Sequence, residues 1–274
     1  SPPGEEEGKG ASRQQPPRPQ SFRVNLVIPT GAMGNIVAAY VSKLAGLPLG
    51  IIAAGVNAND VTHRTFSRGD FTVQPSMVKT LSDAINIMCP YNMERLLYFL
   101  TNKDSSLIKA WYSELEANGK FELPELWVGA LKDAGFQSAR VDDEATKAEM
   151  VALARVEVGY VACPHACVAF AAAKQLGLWP RSSAQQAEGA RPCCVMATAS
   201  PCKFRESVTE GLGAPGWETY AAGPGFPASA REIMAKPEVP PTLLTAAPGE
   251  GGLNASQRVW EGQLRDIVVK FSAK

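Results

Sequence analysis

The chain has 274 residues, 45% of them hydrophobic, and its 27 Lys plus Arg balance 27 Asp plus Glu, so the formal net charge is zero. This hydrophobic fraction is ordinary for a globular protein, and the length suffices for one large domain or two smaller ones. Without excess positive charge the chain lacks the field that attracts nucleic acids or anionic membranes. No stretch reaches the ~18 apolar residues of a bilayer span. We therefore expect neither a nucleic-acid partner nor a membrane partner.

The first 20 residues are predicted to be a disordered tail. They contain five prolines, three glycines and the run Glu5–Glu7, with almost nothing apolar. Such a segment cannot bury enough surface to offset the entropy lost on ordering. The predicted organisation is therefore a tail at residues 1–20 and one folded portion at residues 21–274. The chain opens with Ser1 and shows no signal peptide, which favours an incomplete N-terminus.

A strand, a short loop and a helix are predicted over residues 24–44. An apolar run breaks at Pro29, the loop contains Gly31 and Gly34, and one face of the next segment is apolar, with Val37, Tyr40, Val41 and Leu44. Such a junction gathers backbone N–H groups at a helix N-terminus, where they can bind phosphate. Asn35 is the predicted N-cap. The alternative is a turn that binds nothing, because the glycine spacing fits neither the dinucleotide fingerprint nor the P-loop.

A second apolar run, residues 47–54, completes a βαβ unit, which implies two parallel strands joined by a right-handed crossover. Asn57, Asn59 and Asp60 follow the second strand. The carboxyl ends of parallel strands are where open α/β sheets bind ligands, so these residues are placed for function. The alternative is a helix start capped by Asn59 or Asp60. His63 is predicted at the surface of that helix.

Helical periodicity dominates the middle of the chain, which we expect to cover the sheet. The predicted helices span residues 90–97, 103–119, 121–132 and 142–156. A second strand-to-helix junction is predicted at residues 158–169. A buried strand follows at residues 193–197, with Ser200 capping the next helix. Residues 211–252 are predicted to be mostly loop, and residues 259–271 a closing helix.

Six cysteines lie mostly in apolar segments, and we expect reduced, buried thiols in a cytoplasmic protein. They are Cys89, Cys163, Cys167, Cys193, Cys194 and Cys202. The Cys-Pro-His-Ala-Cys run at residues 163–167 invites a zinc interpretation. Structural zinc needs four ligands, usually from two spaced pairs, and the remaining cysteines are adjacent in a strand pattern. We therefore predict no metal site.

Several of these stretches resemble the threonine synthase family, and most closely its animal threonine synthase-like phospho-lyases. Residues 29–35, Pro-Thr-Gly-Ala-Met-Gly-Asn, resemble the family's cofactor-phosphate loop Pro-Thr-Gly-Asn-Phe-Gly-Asn, with Ala32 and Met33 as the differences. Further resemblances, to the family's Asn-Asp-Ile, Asn-Phe-Glu-Arg-Leu, Asp-Pro-His-Thr-Ala and Ala-Thr-Ala-His-Pro-Ala-Lys-Phe motifs, lie at residues 59–61, 92–96, 163–167 and 197–204.

The resemblance implies an α/β fold with the parallel sheet of fold-type II pyridoxal-phosphate enzymes, truncated at the N-terminus and carrying a helical insert. It implies that the cofactor is pyridoxal 5′-phosphate and that the hydroxyl of Thr198 meets the pyridine nitrogen. The residues implied to bind the phosphate are Gly31, Ala32, Met33, Gly34 and Asn35.

The resemblance covers residues 22–271, and the family's Phe-Lys-Asp motif with the Schiff-base lysine has no counterpart in its expected place. We therefore predict no catalytic residue in this chain. The predicted function is part of a phospho-lyase acting on a small phosphorylated amino acid, O-phosphohomoserine or O-phosphothreonine, inactive as this isolated chain. The alternative is a non-catalytic splice or truncation product that acts as a binding or signalling module.

Overall fold

The computed structural model describes residues 23–155, 159–179, 191–238, 240–244 and 252–272. The predicted tail at residues 1–20 lies outside these residues, so its disorder and the boundary after it stay predictions. The chain divides into two units, Ser1–Phe226 and Pro227–Lys274.

The first unit carries strands and helices in alternation. In chain order its described elements are β1 (Val24–Pro29), α1 (Gly34–Leu44), β2 (Leu49–Val56), α2 (Val61–Arg68), β3 (Asp70–Thr72), α3 (Met93–Leu100), α4 (Ser105–Asn118), β4 (Lys120–Glu122), α5 (Glu125–Asp133), β5 (Phe136–Arg140), α6 (Asp143–Ala154), α7 (Pro164–Gln175), β6 (Cys193–Val195) and α8 (Arg205–Ala222). The described helices of the second unit are α9 (Ala228–Met234) and α10 (Gly252–Ser272).

Four strands form a parallel sheet in the order β5-β2-β1-β6. This confirms the α/β fold, and the predicted βαβ unit supplies the two central strands. Val27 of β1 lies opposite Ala53 of β2 on one side and Val195 of β6 on the other. Strands covered on both faces are apolar along their whole length, which explains the uninterrupted run in β2.

The core has one apolar cluster on each face of the sheet. Because side chains alternate along a strand, Ile28 and Ile52 join the cluster with α1 and α3, while Val27 and Ala53 join the cluster with α7. Helix α7 packs closely on strand β2. A Cβ on Gly55 would lie only 3.1 Å from Ala169 Cα. Its approach to the sheet therefore depends on small residues at the contact.

The predicted apolar face of α1 is only half right. Val37 and Tyr40 are buried, but Val41 and Leu44 are exposed. Ile36 and Ala39 are buried in their place. The buried face of α1 is therefore rotated relative to the predicted one.

The predicted helix over residues 121–132 is wrong at its beginning, because residues 120–122 form β4, which pairs antiparallel with β3. Gly119 ends α4 with a φ of 68°. Phe121 then turns into the core, where its ring stacks on Phe71 with centroids 4.6 Å apart. Burial of two aromatic rings overrides the helical pattern of the local sequence.

The sequence pattern does not predict strand β5, because helical periodicity dominates the middle of the chain. In this strand only Phe136 and Ala139 are buried. It lies at the edge of the described sheet, so its pairing with β2 depends on backbone hydrogen bonds more than on apolar side chains. The strand predicted before α7 is absent from residues 159–163, and residues 156–158 lie outside the described part.

The C-terminal predictions need three further corrections. Strand β6 is half-buried to exposed rather than buried, since it too lies at an edge of the described sheet. Much of the predicted loop at residues 211–252 is helical: α8 continues to Ala222 after a break at Gly213, and α9 follows. The closing helix starts earlier than predicted, at Gly252.

Among the described residues, no helix combines the length and apolarity needed to cross a bilayer.

Candidate functional site

The loop between β1 and α1 starts from a fixed strand end. The Thr30 N–H donates to Gly55 O at 2.8 Å, which ties the loop to the neighbouring strand. Helix α1 then begins at Gly34 with Met33 as its N-cap, in the left-handed conformation with φ 67° and ψ 9°. The prediction of Asn35 as the N-cap is wrong. Met33 is 2% exposed and packs in the apolar core.

Backbone donors are left free at this helix start. The first helical bond runs from the Val37 N–H to Met33 O, at 3.0 Å. Within the described part of the chain, no N–H group of residues 31–36 has a backbone acceptor. Unpaired N–H groups at the positive end of a helix dipole are an anion-binding arrangement.

Of the two loop glycines, only Gly31 is required by its surroundings. A Cβ there would lie 2.8 Å from Ile85 Cα and 2.9 Å from Ile87 Cγ1, closer than side-chain atoms approach one another. At Gly34 the nearest atom to such a Cβ would be Asn92 Nδ2 at 3.7 Å, an ordinary contact. Gly31 therefore lets the loop lie against the segment that holds Ile85.

The free donors lie at a cavity of about 360 Å³, within the ~300–1,000 Å³ range of small-molecule sites. The structure brings to it all the residues that the family resemblance implies for cofactor binding. Its lining includes Gly31, Ala32, Met33, Gly34, Asn35 and Thr198, together with Ala84, Ile85, Tyr91, Asn92 and His165. Thr198 is exposed, so its hydroxyl is available to a ligand. No lysine among the described residues lines this cavity.

Three larger cavities, of about 780, 990 and 490 Å³, lie between α3 and α4, beside α8 and beside the start of α5. None of the three is lined by residues of the β1–α1 loop. The smaller cavity is therefore the better candidate, since an anionic ligand is recognised by donors rather than by volume.

Asn92, just before α3, is attached to the loop by two hydrogen bonds. Its side-chain Nδ2 donates to Ala32 O at 2.8 Å, and its backbone N–H donates to the same oxygen at 3.2 Å. In the sequence, Asn92 belongs to a stretch that resembles a family motif, but that resemblance implies no role for this residue. The contact joins segments far apart in sequence, so no local pattern signals it.

His165 is a further residue of the cavity wall. It is 2% exposed, and its Nε2 accepts a hydrogen bond from the Ala84 N–H at 3.1 Å. Burial lowers the pKa of His165, and Asp83, 3.8 Å away, opposes that effect. The ring is therefore neutral near pH 7, with its proton on Nδ1, which has no partner among the described residues.

Asn57 and Asn59 do not line the cavity. They belong to a buried hydrogen-bond network: Asn57 Nδ2 donates to Asn86 Oδ1 at 2.7 Å, and Asn59 Nδ2 donates to the same oxygen at 3.0 Å. Thr80 Oγ1 also donates to that oxygen, at 2.7 Å. Satisfied buried networks of this kind rigidify a fold. This one holds the segment that contains Ile85, and therefore shapes the cavity wall.

Asp60 and His63 are occupied by structural contacts. Asp60 is the N-cap residue of α2, although its side chain makes no capping bond. Its carboxylate pairs with Arg64 at 2.9 Å and with Arg140 at 3.4 Å. The prediction of His63 at the surface is wrong, because it is half-buried and its Nδ1 lies 2.9 Å from Ser138 Oγ on β5.

The first cysteine of the run at residues 163–167 is explained by helix capping. Cys163 is the N-cap residue, and its Sγ accepts a hydrogen bond from the Ala166 N–H at 3.4 Å. Burial raises the pKa of Cys163 and of Cys167, so both are thiols at neutral pH. Among the described residues no group of three or more His, Cys, Asp or Glu side chains is arranged to hold a metal ion. All six cysteines are free, but only Cys163 and Cys167 are buried; two are half-buried and two are exposed, namely Cys193 and Cys202, and Cys89 and Cys194.

Comparison with known proteins places this geometry in a family, although no protein-family model matches the chain. The chain is 36% identical to human threonine synthase-like 2 over 185 residues, which is 68% of this chain and 36% of that protein. It is 30% identical to the threonine synthase of Saccharomyces cerevisiae over 214 residues, 73% of this chain and 40% of that protein. The chain thus spans little more than a third of the length of these relatives.

Solved structures that resemble this chain belong to the same family as these relatives. The threonine synthase of Brucella melitensis, with PLP bound, matches 70% of this chain and 39% of its own length at 28% identity and a TM-score of 0.62. Yeast threonine synthase matches 77% of this chain and 42% of its own length at 26% identity and a TM-score of 0.67. The chain therefore belongs to the threonine synthase family of pyridoxal-phosphate enzymes, and it matches part of the length of its members.

Proposed function

We propose that the cavity at the start of α1 binds the phosphate of pyridoxal 5′-phosphate. We also propose that it is part of a threonine synthase-like phospho-lyase site for O-phosphohomoserine or O-phosphothreonine. The observation that carries the proposal is the set of unpaired N–H groups of residues 31–36 at a cavity that also includes Thr198. The PLP-bound relative supports the choice of cofactor.

The residues present fit such a group. Backbone N–H groups of residues 31–35 would hold the phosphate, so the side chains of Ala32 and Met33 need not take part. The Thr198 hydroxyl would meet the pyridine nitrogen, and a hydroxyl suits a neutral nitrogen better than a protonated one. When bound, the cofactor supplies an electron sink for the substrate carbanion.

The described wall lacks the group that would move a proton on the substrate carbon. Family chemistry needs a lysine for this step and for covalent attachment of the cofactor. Because no described lysine lines the cavity, we expect this chain alone to bind the cofactor reversibly and to release no phosphate. The lysine would come from residues of a longer protein. The free cysteines favour a reducing, cytoplasmic compartment.

The cavity wall without a described lysine also favours a second candidate of a different class. This candidate is a non-catalytic product that keeps the fold as a binding or signalling module. The transcript upstream of this sequence discriminates between the two. An in-frame Phe-Lys-Asp motif there would favour the enzyme, and its absence would favour the module.

The binding proposal is tested with the purified chain and pyridoxal 5′-phosphate, by equilibrium dialysis and absorbance. We expect reversible binding that Thr198→Val weakens by about fivefold, because it loses one hydroxyl hydrogen bond. Thr242→Val is the matched control, since Thr242 is also exposed and belongs to the other unit. Equal binding by Thr198→Val and wild type would contradict the role of Thr198.

A phosphate-release assay with O-phosphohomoserine and with O-phosphothreonine tests the catalytic part. We expect no release above the rate of the cofactor alone. Steady release, together with one lysine that borohydride links to the cofactor, would show that the chain contains its own catalytic base.

A further inference from the structure

We infer that Asn92 is a positioning residue for the phosphate-binding loop. It holds the peptide between Ala32 and Met33 in an orientation that leaves the Met33 N–H free for an anion. This inference rests on the proposed function, because its subject is the same loop, and it concerns a residue that would act through the backbone of another.

Two donors of Asn92 converge on one oxygen. Both the side-chain Nδ2, at 2.8 Å, and the backbone N–H, at 3.2 Å, donate to Ala32 O. The described peptides are all trans, so a peptide's N–H points away from its carbonyl. Fixing Ala32 O on Asn92 therefore fixes the Met33 N–H on the opposite side of the peptide.

The side chain of Asn92 is not used by its own helix. Asn92 is the N-cap residue of α3, and Asn is among the side chains that most favour such caps. Yet it makes no capping hydrogen bond to α3. The amide, on a residue only 8% exposed, is instead bonded to Ala32 of the loop.

The backbone conformation of Met33 is unfavourable by itself. Met33 has a φ of 67°, in the left-handed region that residues other than Gly, Asn and Asp rarely adopt. Its buried side chain and the bonds to Ala32 O hold it there. If the Ala32–Met33 peptide rotated, a carbonyl would replace an N–H at the helix start and would repel an anion.

The experiment compares wild type, Asn92→Ala and Asn92→Asp, with Asn118→Ala at the exposed end of α4 as the matched control. Inorganic phosphate is titrated while the amide resonances of Gly31, Met33 and Gly34 are followed by NMR. A second titration uses pyridoxal 5′-phosphate. Unfolding midpoints measured in parallel separate loss of fold from loss of binding.

In wild type and Asn118→Ala we expect phosphate to shift the loop amides with the same affinity. Asn92→Ala should weaken phosphate about tenfold and move the Met33 amide resonance even without phosphate, which a change in stability alone would not do. Asn92→Asp should bind more weakly still, since its carboxylate faces both Ala32 O and the anion. If Asn92→Ala does not fold, the aspartate variant, which keeps the side chain's size, supplies the comparison.

The outcomes separate the inference from the function on which it rests. Equal phosphate affinity and equal loop resonances in wild type and Asn92→Ala would overturn the inference while leaving the proposed function in place. Phosphate binding that depends on Asn92, without binding of pyridoxal 5′-phosphate, would support the inference and overturn the choice of cofactor. A wild-type loop that binds neither ligand would overturn both.

Discussion

At the scale of single residues, the loop owes its shape to contacts that differ from the ones its sequence suggests. Asn35 is the type of residue that caps a helix, yet Met33, which is buried in the core, occupies that position. Gly31 and Gly34 look alike in sequence, but only Gly31 faces another part of the backbone. Residue type alone therefore does not say which loop position is constrained.

Gly31→Ala tests that constraint. The new methyl group would lie within 3 Å of Ile85 and Ile87, so we expect a loss of about 1–3 kcal/mol in the free energy of unfolding. Phosphate affinity should fall as well, since the loop must move. Gly34→Ala is the matched control: its contact distance is ordinary and alanine favours helices, so stability should stay the same or rise. Urea unfolding measures both, and equal stabilities would contradict the steric argument.

The lowered pKa of the buried His165 predicts a pH dependence of stability. Burial lowers its pKa in the folded state below the ordinary value of 6.5, so the unfolded state binds more protons as the pH falls below 6.5. The free energy of unfolding should therefore decline from pH 6.5 downward, until the pH passes the lowered pKa. We expect His165→Gln, whose Oε1 can still accept from the Ala84 N–H, to flatten this decline.

Urea unfolding between pH 7 and pH 5 measures the effect. His63→Gln is the control: the pKa of His63 is also lowered by burial, but this ring is half-buried and hydrogen-bonded to Ser138. An unchanged slope in His165→Gln would show that the buried ring does not control the decline.

At the scale of elements, the small β3–β4 sheet depends on one buried cation. Arg64, on α2, is 6% exposed and pairs with Asp60 at 2.9 Å and with Asp70 at 2.8 Å. Its Nη2 also donates to Thr72 O at 2.7 Å. Burial by itself would raise the pKa of Asp70, but the hydrogen bonds from Arg64, Thr72 and Arg68 lower it well below its usual range. Arg64 thus connects α2 to strand β3.

Arg64→Met should destabilise the protein by about 2–4 kcal/mol, because it leaves two carboxylates and a carbonyl without their buried partner. Arg68→Met is the matched control. Arg68 also pairs with Asp70, at 3.0 Å, but its side chain is 64% exposed, so the loss should stay below about 1 kcal/mol. Thermal and urea unfolding compare the two, and similar losses would contradict the importance of burial here.

At the scale of the whole molecule, both apolar clusters lie inside the first unit. Every residue of the two clusters falls between Leu26 and Val195. The buried Trp217, Tyr220 and Phe226 also belong to this unit, and their rings contact one another. The two apolar clusters thus consist of side chains of the first unit.

A chain ending at Phe226 should therefore fold. We expect one cooperative unfolding transition and wild-type affinity for inorganic phosphate, measured by circular dichroism and by titration. A non-cooperative transition, or exposed apolar surface that binds a hydrophobic dye, would contradict the independence of the first unit.

The sequence by itself determined the parts that rest on local chemistry. The apolar runs at β1 and β2, the glycine loop between them and the motifs at residues 29–35 and 197–204 predicted a parallel α/β sheet, and they predicted the residues that the structure brings to one cavity. These features were accessible because strand burial and loop composition follow from neighbouring residues.

Only the tertiary structure decided the parts that depend on contacts between distant segments. Strand β5 is paired through its backbone, Asn92 is bonded to Ala32, and His165 is neutral because it is buried against Ala84 and Phe204. A local pattern carries no sign of such contacts. The partner of each polar group, and the burial that sets its protonation, exist only once the chain has folded.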